Sequence, residues 1–312
     1  FQKAITMAYP GDTVYFRGGT YYPRETITID LGNSPNIGRS GTPGNPICYF
    51  NYPGETVIFD LINIKPAPSN WSAGISVSYA DFIFMRGFEV KNLFQYREEV
   101  MVEAVQNYMC SNIQYENFKV HHNSGVGFKY TGAAGVDGYD PPVYRYPYDT
   151  IRFINCDAYH NCDSLIIQGN LLGNRADGFK VQNQNYTYVY FEGCRAWNNS
   201  DDGFDPSGDA FRDFLNCWSF NNGYLEGDGY GWKMSGPGID KSTMTLQLKR
   251  CIAAFNSAWG FGEVDQPDGY FKNVVNYFNN IAYHNEYGFG NDWQDIEPPV
   301  IDRDNIYKNN IS

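Results

Sequence analysis

The residues of this chain best suited to chemistry are acidic, and they recur at a fixed interval. Ala176-Asp177-Gly178-Phe179 is followed by Ser200-Asp201-Asp202-Gly203-Phe204-Asp205. Aligning the two Gly-Phe pairs puts Asp177 and Asp202 at equivalent positions, 25 residues apart. If that interval is one turn of a repeating β structure, the two backbones lie roughly 4.8 Å apart. This is about twice the 2.3–2.6 Å of a calcium–oxygen bond, so one Ca²⁺ can bridge both carboxylates. Asp201 and Asp205 bracket the same turn, and four carboxylates this close without a cation raise one another's pKa values. A lone Asp-Gly more often caps a turn; the constellation of four favours a cation. The Asp-x-Asp-x-Asp-Gly spacing of an EF-hand is absent.

One interval further on lies Gly227-Asp228-Gly229-Tyr230-Gly231-Trp232-Lys233. Lys233 follows its Gly-aromatic pair as Asp205 follows Gly203-Phe204. A lysine above four carboxylates reads as their salt-bridge partner, which composition alone slightly favours. Phosphate binding is disfavoured, because no GxxxxGK[ST] run leads into a helix.

These side chains need a repeating scaffold, and the sequence contains one. Asn155-Cys156-Asp157-Ala158-Tyr159-His160-Asn161 resembles Gly193–Asn199, Asn216–Asn222 and Arg250–Asn256. Anchors at Phe88, Phe118, Cys156, Cys194, Cys217, Cys251 and Ile281 are 30, 38, 38, 23, 34 and 30 residues apart. Five residues after each anchor from Phe118 to Cys251 stands an asparagine: Asn123, Asn161, Asn199, Asn222 and Asn256. Each copy ends in Gly plus an aromatic: Gly127-Phe128, Gly178-Phe179, Gly203-Phe204, Gly231-Trp232, Gly260-Phe261 and Gly288-Phe289. Strands of three to five residues separated by such turns predict an all-β fold, a right-handed parallel β-helix. A β-propeller needs blades of about 40–45 residues, which the short intervals cannot supply.

The whole of residues 1–312 reads as one such solenoid. Residues 1–9 look like the end of a capping helix that shields the first strand edges. Segments 131–149 and 163–174 read as loops inserted between coils. Asn310-Ile311-Ser312 restarts the pattern, so the expectation is a solenoid that continues beyond the numbered chain. Stacked cysteines are expected to form an internal thiol row rather than disulfides. His121 and His122, as strand neighbours, are expected on opposite faces, which disfavours a two-histidine metal site.

Composition narrows the partners. Tyr, Phe and Trp number 26, 22 and 6, enough apolar mass for a substantial core, which excludes a disordered chain. With 23 Lys+Arg against 35 Asp+Glu the net charge is −12, unfavourable for a general nucleic-acid binder. No apolar run reaches the ~18 residues of a membrane span. The first residues lack the basic start and cleavage site of a signal peptide.

The motifs together are similar to polysaccharide lyase family nine. The resemblance lies in Ala-Asp-Gly-Phe, then Ser-Asp-Asp-Gly-Phe-Asp, then Gly-Asp-Gly-x-Gly-x-Lys, with Asn216–Gly223 as a further match. It is dense over 174–236 and general elsewhere. The family contains pectate lyases and rhamnogalacturonan lyases. The resemblance implies Asp177, Asp201, Asp202 and Asp205 as calcium ligands and Lys233 as the catalytic base. It also implies an exported monomer (secreted, periplasmic or at the cell surface) acting on an acidic plant cell-wall polysaccharide. Phe204 stands where Trp is frequent and Pro206 follows Asp205; neither change removes a functional group.

The chemistry agrees independently. Cleaving a 4-linked galacturonate by elimination removes H5, whose carbanion sits beside a negative carboxylate; Ca²⁺ neutralises that charge. A neutral lysine then serves as base, although only about 0.04% of free lysine is neutral at pH 7. Arg175, Lys180, Arg212 and Lys241 are candidate contacts for uronate carboxylates. Tyr230 and Trp232 are candidates to stack on sugar rings, with interior packing at least as good for Trp232. Two rival readings stand beside the lyase. An inverting β-helix pectin hydrolase would use paired acids about 6.5–9.5 Å apart, but the Gly-His-Gly element expected of it is absent. A non-catalytic carbohydrate-binding β-helix would retain saccharide without cleaving it.

Overall fold

The computed structural model describes residues 1–32, 36–65, 71–96, 100–132, 150–165, 172–182, 188–207, 211–235, 244–264, 273–292 and 306–312. The chain winds through three sheets in turn, laying one strand in each per coil. The first sheet has ten strands, from Thr13–Phe16 to Ile306–Lys308; the second has nine, from Gly19–Tyr21 to Ile281–Tyr283. The third also has nine, from Ile27–Asp30 to Tyr287–Asp292, and neighbours pair in parallel. This is the expected parallel β-helix. Strands of the second sheet are three or four residues long, but Trp71–Ser78 and Met101–Tyr108 run to eight, beyond the expected range.

The N-terminal cap is present as the helix Gln2–Met7, with Ile5 buried against the first coil. Arg39 Nη1 donates to the carbonyls of Thr6 and Ala8 at 2.8 and 3.1 Å, tying the helix end down. Among the described residues no helix is long and apolar enough to cross a membrane.

Parallel strands in register stack like on like. Phe128, Phe179, Phe204, Trp232, Phe261 and Phe289 form one continuous interior column, with ring centroids 4.7 to 5.0 Å apart. Trp232 is fully buried in it, so its interior alternative is the correct one. Cys156, Cys194, Cys217 and Cys251 are buried at one coil position, and all seven cysteines are free.

The turn from the second to the third sheet is built on the asparagines. The side chain of Asn123 donates to Asn161, and the chain of amide contacts continues through Asn199, Asn222 and Asn256 to Asn285, each at 2.9 or 3.0 Å. Asn285 was outside the expected set because the last anchor was misplaced by one residue. Ile281 pairs with Ile252, so Asn280, not Ile281, stands in the cysteine position. Counted from Asn280, the five-residue offset holds.

Asn222→Ala tests how much this ladder holds. Its amide donates to Asn256 Oδ1 and to Ser219 Oγ, and its oxygen accepts from the Asn199 backbone N–H and amide. Removing a buried partner leaves groups unpaired at roughly 1–3 kcal/mol. We expect urea unfolding of the variant to show a loss in that range with an unchanged slope.

Next to the asparagines runs a row of glycines: Gly127, Gly178, Gly203, Gly231 and Gly260. A Cβ on Gly178 would meet the Gly203 carbonyl at 2.7 Å and Ala196 Cβ at 2.9 Å; on Gly231 it would meet the Gly260 carbonyl at 2.5 Å. The backbone of the neighbouring coil, with the alanines of the second sheet just beyond it, leaves no room there for a side chain. This bend turns the residue before each glycine away from the interior column, and two of those residues are Asp177 and Asp202.

The pair His121-His122 departs from expectation. His122 sits in the left-handed region (φ 55°), which interrupts strand alternation and brings both rings to one side. Their Nδ1 atoms lie 2.7 Å apart.

Candidate active site

The third sheet presents two outward rows at its glycine bend. In the first, the Gly127 N–H donates to the Asp177 carbonyl and the Gly178 N–H to the Asp202 carbonyl, both at 2.9 Å, so the two aspartates stack on adjacent coils. In the second row, three residues on, Lys129 pairs with Lys180 and Lys180 with Asp205. Lys233 follows, since Phe204 pairs with Trp232.

Carboxylate oxygens of Asp177, Asp202 and Asp205 lie within 4.8 Å of one another, and all three residues are buried. Asp201 does not join that trio. Its Oδ1 accepts from the Asp228 N–H at 2.9 Å, and it converges instead with Asp202 and Asp228. The four expected ligands, with Asp228 as a fifth carboxylate, thus form two overlapping trios that share Asp202. Asp228, flanked by Gly227 and Gly229, is brought beside Asp201 by its backbone N–H, a neighbour that motif spacing alone does not reveal.

Several buried oxygens here are poorly matched by protein donors. Asp177 Oδ1 and Asp202 Oδ2 have no hydrogen-bond partner, although Lys233 Nζ stands 3.4 Å from the latter. Asp202 Oδ1 accepts from the Tyr230 N–H at 2.8 Å. Burial pushes the Asp202 carboxyl up to about 7 against the pull of Lys233, with Asp177 and Asp205 adding to the rise. Burial also raises Asp177, and burial and then Asp202 raise Asp201 well above the carboxylate range. Asp205 goes the other way: burial opposes ionisation, but Lys180 and Lys233 outweigh it and hold the group below its ordinary value. Buried oxygens that lack donors, in a set of hard carboxylate ligands, fit a Ca²⁺-sized cation.

Lys180 Nζ lies 2.8 Å from Asp177 Oδ2 and 2.5 Å from Asp205 Oδ2. The structure therefore places it among the protein's own carboxylates. Lys233 Nζ bonds Asp228 Oδ2 as well as approaching Asp202. Burial would lower its pKa, but Asp202, Asp205 and Asp228 outweigh burial and hold the ammonium well above its ordinary value.

A cleft of about 250 Å³ opens beside these groups, lined by Glu103, Lys129, Arg175, Lys180, Asp201 and Lys233 among others. Arg175 lines this cleft. Arg212 does not. It lies on the strand Phe211–Leu215 in register with interior Val189 and Leu246, is fully buried, and donates to the Pro206 carbonyl at 3.1 Å. It braces the backbone behind Asp205 and cannot meet a polymer. Tyr230 is 6% exposed, with Lys233 Nζ 5.6 Å from its ring centroid, so it packs under Lys233 and offers little face to a sugar. Lys241 lies outside the described residues, as do 133–149 of the first expected loop and 166–171 of the second.

The buried pair Lys129–Glu103 (2.6 Å) was missed from the sequence. Its signal was present: Gly127-Phe128-Lys129 repeats Gly178-Phe179-Lys180 and, with Trp for Phe, Gly231-Trp232-Lys233.

Comparison with known proteins adds to this geometry. The family described as "Pel9A-like, right handed beta helix region" matches residues 1–309. The chain is 28% identical over 329 aligned positions to pectate lyase L of Dickeya chrysanthemi, covering 100% of this chain and 65% of that protein. It is 26% identical to pectate lyase PEL9 of Emericella nidulans, covering 92% and 70%. The crystal structure of pectate lyase Pel9A superposes with a TM-score of 0.63 at 27% identity, over 91% of this chain and 64% of that one. A rhamnogalacturonan lyase structure gives 0.66 at 26%, over 88% and 67%. The chain thus spans just under two thirds of the length of pectate lyase L and of the Pel9A structure.

Proposed function

The chain belongs to the Pel9A-like right-handed β-helix family, polysaccharide lyase family nine, and from that membership we propose that it is a calcium-dependent lyase of galacturonate-containing pectic backbone. The observation that carries the reading is the convergence of Asp177, Asp202 and Asp205, two of them with undonated buried oxygens, directly beside Lys233. Asp201 completes the acidic set from the adjoining trio. A calcium ion held there supplies positive charge that neutralises a uronate carboxylate and acidifies the hydrogen α to it.

Lys233 takes H5 as a proton on Nζ. The C5–H pair becomes the C4–C5 double bond, the C4–O4 bond breaks, and O4 leaves with its electron pair to be protonated from solvent. Surrounded by carboxylates alone, the Lys233 ammonium is too stable to act as base. Fully ionised, Asp177, Asp201, Asp202, Asp205 and Asp228 would carry five negative charges against two positive ones on Lys180 and Lys233, and a divalent ion would offset two of the remaining three. That balance lowers the Lys233 pKa towards a useful range. Arg175, lining the same cleft, is suited to a carboxylate of a neighbouring sugar. An exported enzyme acting on plant cell-wall pectin fits this chemistry.

Polygalacturonate and rhamnogalacturonan should each be offered as substrate, with products read by ultraviolet absorbance. Unsaturated products that vanish with chelator and return with calcium are expected from at least one polymer. Chain cleavage without the absorbance would mean a hydrolase; binding without cleavage would mean a binding module.

A further inference from the structure

We propose that Lys180 is a displaceable counter-cation: its ammonium pairs with Asp177 and Asp205 before the divalent ion binds, leaves them when it binds, and turns into the cleft to meet a uronate carboxylate. This rests on the calcium reading of the same site. Three observations carry it. First, the Lys180 ammonium contacts two of the three carboxylates whose oxygens converge, at 2.8 and 2.5 Å. An ion reaching those oxygens at about 2.3–2.6 Å occupies space the ammonium now fills. Secondly, its neighbours in the row are committed elsewhere. Lys129 is held by Glu103 at 2.6 Å, and Lys233 stands on the far side, against Asp202 and Asp228. Thirdly, the Lys180 side chain is 19% exposed and lines the cleft, so a rotamer change suffices to carry its head into it.

The arrangement links two binding events. Cation binding frees a positive charge at the edge of the cleft, where a polyanionic chain can use it. Each ligand then favours the other, as linkage requires.

Amine-reactive footprinting of the whole protein, read by peptide mass mapping, tests the movement without mutation. Lys180 should be protected in chelator and labelled several-fold faster in calcium, while Lys129 stays protected in both. Calorimetric titration of Lys180→Met should show calcium binding at least tenfold tighter than in the parent, because the competing charge has gone. Lys180 protected in both conditions, or calcium affinity equal or weaker in Lys180→Met, overturns the proposal and leaves Lys180 a fixed member of the site. If that variant does not fold, Lys180→Gln carries the same titration and the footprint alone still decides. A parent protein that binds no calcium would overturn the functional reading, and this inference with it.

Discussion

Lys233→Ala is expected to lower turnover by roughly 10²–10⁴-fold or more, the range for removal of a general base, while calcium affinity holds or rises. Lys233 Nζ lies beside Asp202, the residue common to both trios, and lines the cleft. Lys233→Arg separates the two roles that a lysine among carboxylates can have. Guanidinium keeps the charge and both acidic partners but has a pKa above about 12, so it supplies no neutral nitrogen near neutral pH. A base predicts that Arg is nearly as inactive as Ala; a structural partner predicts near-normal activity. Wild-type turnover by Lys233→Arg, with calcium and substrate saturating, removes Lys233 from the mechanism. The parent enzyme should gain activity toward alkaline pH, because the ammonium is stabilised by its acidic neighbours and the neutral form accumulates only as protons are withdrawn.

Asp202→Asn should weaken calcium binding by at least about 10²-fold, since ligand charge count sets affinity over several decades. Asp202 is common to both acidic trios, and asparagine still offers the Tyr230 N–H its acceptor. The companion variants locate the ion. If it sits between Asp177, Asp202 and Asp205, Asp177→Asn is as damaging and Asp228→Asn is mild; the opposite ranking puts it in the second trio. Equal, small losses for all of them by calorimetry would remove the metal site. The same variant makes a stability prediction without calcium. Burial holds the Asp202 carboxyl at about 7, above its ordinary value, so ionising it costs the fold stability as pH rises from about 4 to 7. Asp202→Asn lacks that loss and should be relatively more stable above pH 7.

The repeat, the asparagine ladder and the stacking of Asp177 on Asp202 were legible in the sequence because parallel register converts interval directly into adjacency. What interval does not reveal is which way a side chain points. Arg212 looked like a polymer contact, yet its parity within Phe211–Leu215 turns it into the interior. His121 and His122 were expected on opposite faces, but one left-handed residue cancels the alternation on which that rested. Asn280 replaces a cysteine at its coil position, which hid Asn285 from an anchor defined by residue type. Asp201 and Asp205 were correctly placed near one turn, but their separation into different trios depends on Asp228 arriving from the next coil.

The corners of the coil differ in how freely they accept extra residues. From the third coil onward, the step from the first sheet to the second takes one or two residues, as between Arg86 and Phe88 or Phe278 and Ile281. The step from the third sheet back to the first ranges from two residues, between Tyr108 and Ser111, to eighteen, between Thr131 and Thr150. A single residue inserted at the first corner would put the short strand that follows out of register, turning its inward side chains outward. At the other corner the same insertion is absorbed before the next strand begins. That permissive corner follows directly on the strands that carry Lys180, Asp205 and Lys233. Segment length can therefore vary at that corner from coil to coil while Asp177, Lys180, Asp202, Asp205 and Lys233 stay in register.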